Sequence, residues 1–134
     1  MKNLILLFLA FGLTMTACKK DDTTDTGTTT SKDKLNPPTW IQGTWMDRSE
    51  PTMPVGYTFT TDDMLTIIAN NSTSLNASIS DRNYSISETT TDSNYQFTIT
   101  YTDTNSTESW IFNKMGDTQI QSIHGSVTSI LTKE

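Results

Sequence analysis

The chain has one cysteine, Cys18, and one histidine, His124. A single cysteine excludes an internal disulfide, so hydrophobic burial has to hold whatever folds. A single histidine makes a poor metal site, because zinc wants about four N or S ligands. His124 lies beside Gly125 in an expected turn and reads as solvated, so it supports no Ser-His-acid set. Basic residues are also scarce. Nine Lys and Arg face fifteen Asp and Glu, for a net charge of -6. From Leu35 onward only Arg48, Arg82, Lys114 and Lys133 oppose eleven acids. Nucleic acid and anionic surfaces need basic patches, so both are excluded as expected partners. There is no Gly-rich phosphate loop. Asp62 and Asp63 read as a solvated turn, since calcium would need several more oxygens nearby. The expectation is no metal, no cofactor, no catalytic set and no enzyme. Long apolar runs are missing too. Leu4 to Leu13 is about ten residues, where a membrane span needs roughly 20.

What is present begins with that short run. Lys2, the apolar segment and the small residues after it have the form of a secretory signal peptide. Met15-Thr16-Ala17-Cys18 then resembles a bacterial lipobox, with Met15 where the family usually has Leu. The resemblance implies removal of residues 1–17 and acylation of both the Cys18 thiol and the new amino terminus, with palmitate-type chains. One chain holds a protein only marginally at a bilayer, and two or three hold it firmly. The competing reading is an ordinary cleaved signal with an incidental cysteine, but a free exported thiol would be a reactive liability. Lys19-Lys20-Asp21-Asp22 resembles the surface-export signal of Bacteroidetes-type lipoproteins. It implies an outer-membrane, lipid-anchored protein facing the cell exterior, with a periplasm-facing anchor as the alternative.

Residues 18–36 form a Thr, Asp and Lys-rich tract with no apolar residue before Leu35. Such a segment has nothing to bury against its ordering entropy. It reads as a disordered tether of roughly 23 Å average reach. Asp22-Thr23-Thr24 also resembles an O-glycan attachment site, which chance in a Thr-rich tract explains equally well.

Residues 37–134 read as one domain. Their apolar pattern has period two. Val55, Tyr57 and Phe59 alternate with polar residues or glycine. So do Leu65 and Ile67, where Ile68 breaks the pattern. The same holds for Leu75, Ala77 and Ile79, for Tyr84 and Ile86, and for Tyr95, Phe97, Ile99 and Tyr101. Trp110, Phe112, Ile120, Val127 and Leu131 follow. Asp, Asn and Gly turns separate the runs. Short, consecutive strands with short loops predict an all-β, antiparallel up-and-down barrel of about eight strands, with a β-sandwich as the alternative.

Trp40-Ile41-Gln42-Gly43-Thr44-Trp45 resembles the opening Gly-x-Trp motif of lipocalin-like domains. The resemblance implies that Gly43 and Trp45 close one end of the barrel, with Trp40 as a plug. Lipocalins commonly stack an Arg near the last strand on that Trp; here only Lys133 lies near the point. A lipocalin-like barrel implies a small hydrophobic or amphiphilic ligand. Its candidate wall is Tyr57, Phe59, Tyr95, Phe97, Tyr101, Trp110 and Phe112, with plain core packing as the alternative for each. The chain reads as a monomer. The alternative function is a non-enzymatic interaction module, meeting a partner protein, a glycan or a protease.

Overall fold

A strand that alternates apolar and polar residues presents one face to a core and the other to water. In the computed structural model, which describes residues 27–31 as backbone and residues 34–134 in full, that alternation builds one sheet. Cys18, residues 1–17 and the charged run 19–22 lie outside the described residues.

The strands are β1 (Gly27–Ser31), β2 (Gly43–Asp47), β3 (Val55–Phe59), β4 (Met64–Ile68) and β5 (Asn71–Ser74). After a short helix, α1 (Leu75–Ile79), come β6 (Tyr84–Thr90), β7 (Asn94–Tyr101), β8 (Ser106–Lys114), β9 (Gln119–His124) and β10 (Val127–Lys133). The order across the sheet is β1-β6-β7-β8-β9-β10-β2-β3-β4-β5. Every pairing is antiparallel. The fold is therefore all-β, a curled up-and-down meander of barrel-like form, and a single sheet rules out the two-sheet sandwich.

The wall is not hydrogen-bonded all the way round. The two edge strands, β1 and β5, do not pair with each other, and α1 follows β5 and packs on β4 and β5 before the chain enters β6. Leu75–Ile79 was expected as a strand from its alternation and is a helix instead. Leu75 and Ile79 stand four apart and share one helical face, which packs on the core. Ser74 caps the helix by accepting from the Ala77 amide at 3.1 Å. Asp63, expected in a solvated turn, ties the β3–β4 turn to this helix. Its carboxylate accepts from the Met64 and Asn76 amides and from the Ser74 hydroxyl, at 2.8, 3.1 and 2.5 Å.

Two further expectations change. The unstructured tether was drawn to residue 36. Yet Gly27–Ser31 pairs with β6, Gly27 opposite Thr90 and Ser31 opposite Ile86, and Leu35 is buried in the core. Threonine suits an edge strand even with nothing apolar beside it. On β4 the phase is reversed. Met64 lies opposite Phe59 and Thr66 opposite Tyr57, so Met64, Thr66 and Ile68 share the inner face. Leu65 and Ile67 look outward, beside Met46 and Pro54.

Candidate ligand-binding site

The two ends of the barrel differ. At one end lie the β3–β4, β6–β7 and β8–β9 turns, and the segment before β2 closes it. Trp45 is buried, and its indole N–H donates to the Ile41 carbonyl at 2.6 Å. Ile41 and Leu35 are buried against it. Trp40 donates to the Thr91 carbonyl at 3.0 Å, which pins the segment to the β6–β7 turn. Gly43 has φ +116, a conformation side chains rarely adopt, and a Cβ there would lie 3.3 Å from the Lys133 Cε. Lys133 holds its ammonium 5.0 Å from the Trp45 ring centroid.

Above this floor the aromatic residues pack on one another. Phe59 and Phe112 meet edge to face at 4.9 Å, and Phe97 stacks on Trp110 at 4.9 Å. Phe59, Tyr95, Phe97 and Phe112 are fully enclosed. Tyr95 donates at 2.5 Å to Glu88, a buried carboxylate that also accepts from the Asn36 amide at 2.8 Å. Burial, followed by that hydrogen bond to Glu88, pushes the Tyr95 hydroxyl well above its ordinary range. Tyr101 lies further up, with the Arg82 guanidinium 3.7 Å over its ring. Burial raises the Tyr101 hydroxyl too, helped by the Glu108 carboxylate and opposed by Arg82. The seven expected wall residues thus form one continuous cluster. Among them Tyr57 lines the partly open cavity described next.

That space is a cavity of about 170 Å³, lined by Val55, Gly56, Tyr57, Ser122, His124, Val127, Ser129 and Leu131. It touches β3, β9 and β10 and no residue of β2. The reason is geometric. β10 pairs with β2 only through Thr132 opposite Met46 and Lys133 opposite Trp45. Beyond Lys133 and Thr132 the two strands part, and the inner face opens between β10 and β3. The cavity runs from His124 and Val127, exposed at the rim, to Ser122 and Leu131, 3% and 1% exposed, at the floor.

His124 is exposed, as expected, but it belongs to a strand rather than to the turn itself. It ends β9 opposite Trp110, and the two rings stack at 4.4 Å and 13°. The alternation of β9 puts Ser122 on the same inward face as Ile120, and that of β10 puts Ser129 with Leu131. Counting by twos from the apolar residues places both serines on this face, although neither is aromatic. Among the described residues, the side chains of Tyr57, Ser122, His124 and Ser129 make no hydrogen bond. Four polar groups therefore converge on one small cavity with their capacity unused.

Among the described residues there are also two more open concavities, of larger volume, about 380 and 430 Å³. One, on the outer face, is lined in part by Met46, Pro54, Leu65 and Ile67. The other follows the seam, between Thr66, Ile68, Thr73 and Leu75. Among the described residues no group of three or more His, Cys, Asp or Glu side chains is placed to hold a metal ion. No helix among them is long and apolar enough to cross a membrane. Comparison with protein families, with curated proteins and with solved structures gives no match to this chain.

Proposed function

We propose that this chain is a lipid-anchored binding protein. Acylated Cys18 holds it in the outer membrane, facing the cell exterior. Its lipocalin-like barrel binds a small hydrophobic or amphiphilic molecule in the cavity between β3, β9 and β10. The observation that carries the reading is the unused hydrogen-bonding capacity of Tyr57, Ser122, His124 and Ser129 in that cavity. None of these polar atoms is both buried and unpaired, so water meets them in the free protein, and the polar group of a ligand can take the place of that water. Val55, Val127 and Leu131 supply the apolar contact beside them. The aromatic cluster below is the packed floor, and Trp45, Gly43 and Trp40 seal the far end.

Native mass spectrometry of the protein purified from its own host reads a retained molecule directly. The expected result is a small added mass that Ser129→Phe, which fills the cavity, removes without changing the circular dichroism. An unliganded spectrum from the unsubstituted protein, repeated under gentle conditions, overturns the binding role. The anchor is tested separately. The peptide beginning at Cys18 should carry acyl chains, Cys18→Ser should release the protein from membranes, and protease added to intact cells should digest it.

A further inference from the structure

We infer that the cavity takes a neutral, hydroxylated single-ring molecule of about the size of phenol. This rests on the binding role proposed above and narrows it.

Size decides first. A cavity of about 170 Å³ is close to the roughly 150 Å³ apolar cavity that accommodates benzene. It is well below the roughly 300–1,000 Å³ of pockets for drug-sized ligands. The floor gives a longer molecule no way deeper. Tyr57 meets Phe112 edge-on at 5.4 Å, and Phe112 is fully buried. A single ring is held within this space, whereas an extended acyl chain has to run out past the exposed rim at His124 and Val127.

Charge decides next. No Lys, Arg, Asp or Glu lines the cavity. An ion drawn down to Ser122 would lose its hydration with no opposite charge to meet. Hydrogen bonding then sets the substituent. Serine and tyrosine hydroxyls both donate and accept. A ligand hydroxyl has the same dual character and pairs with any of them, whichever way their protons point. The Tyr57 and His124 rings give the ligand ring aromatic neighbours.

The test uses the full chain carrying Cys18→Ser, with phenol, benzoate and octanoate titrated separately. Binding is followed by nuclear magnetic resonance of Ser122 and Ser129. Phenol is expected to shift both signals saturably, and Ser129→Val to weaken it about tenfold, the loss of one hydrogen bond. Benzoate or octanoate binding more tightly than phenol at these signals overturns the neutral-ring assignment and leaves the binding role standing. If none of the three moves the signals, the assignment fails. The native mass spectrum of the protein from its host then decides whether the binding role fails with it.

Discussion

The Lys133 ammonium lies over the Trp45 ring, 5.0 Å from its centroid, where β10 joins β2. A lysine near the end of the last strand thus covers the tryptophan of the strand beside it. A cation on an indole face at an exposed site contributes about 0.5–1 kcal/mol. Lys133→Ala should lower stability by about that amount in urea denaturation, whereas Lys133→Arg should keep it. Equal losses from both variants would mean that the contact contributes nothing through charge.

Phe97 is fully buried between Trp110 and Tyr95. Phe97→Ala leaves a hole in the middle of the aromatic cluster and should cost about 3–5 kcal/mol. Marginally stable domains rarely tolerate such a loss, so a large fraction of the variant should be unfolded at 37 °C by circular dichroism.

Tyr95 predicts the alkaline limb of stability. Its folded pKa is raised, first by burial and then by the hydrogen bond to Glu88. The contribution is fully present below the unfolded value, about 10, and declines as pH rises past it, because the unfolded chain then releases a proton that the folded chain keeps. Denaturation midpoints should fall above about pH 10, and Tyr95→Phe should flatten that slope. At neutral pH the same variant should be less stable by about 1–3 kcal/mol, since Glu88 is buried and loses a donor. An unchanged alkaline slope would remove Tyr95 as its source.

Gly56 lies where β2 and β3 run closest. A Cβ there would sit 2.1 Å from the Trp45 carbonyl oxygen and 2.6 Å from the Met46 Sδ. Methionine can move, but a backbone carbonyl in a paired strand moves only with the strand. Gly56→Ala should therefore cost at least the roughly 1–3 kcal/mol of ordinary overpacking. Thermal melts beside Gly125→Ala check this, because Gly125 has φ +60 but nothing within 4 Å of its Cβ position.

Ser74 serves both α1 and Asp63. Ser74→Ala removes the helix cap and one donor to the carboxylate, for about 1 kcal/mol of cap alone. Hydrogen exchange should speed up across α1 and the Asp62–Asp63 turn while β7 and β8 stay protected. Uniform acceleration over the whole sheet would mean that the seam is not a separate unit.

Period two carried most of the architecture. β7 reads Tyr95, Phe97, Ile99 and Tyr101 inward without a break, and the structure buries all four. Three things were hidden for identifiable reasons. α1 alternates like a strand, and what makes it helical is the cap from Ser74 and the Asp63 carboxylate at its start. On β4 two apolar pairs compete, and the Met64–Phe59 pairing decides between them. β1 has no apolar residue at all, so what holds it is backbone pairing to β6, which composition does not report. At the cavity, Tyr57 was legible as an aromatic on the inner face. Ser122 and Ser129 give no local contrast in a Ser- and Thr-rich chain, and only counting by twos from Ile120 and Leu131 puts them on the inner face.

The join between β2 and β10 has a kinetic consequence. The residues it brings together are far apart in the chain. Arg48 and Glu134, 86 positions apart, pair across it at 2.7 Å. Neighbouring hairpins can zip early, but this seam must wait for a long loop to close, an entropic toll that slows β topologies. The segments on either side, β2–β5 and β6–β10, can therefore gain structure before they meet, and the pocket between β3 and β10 is finished last.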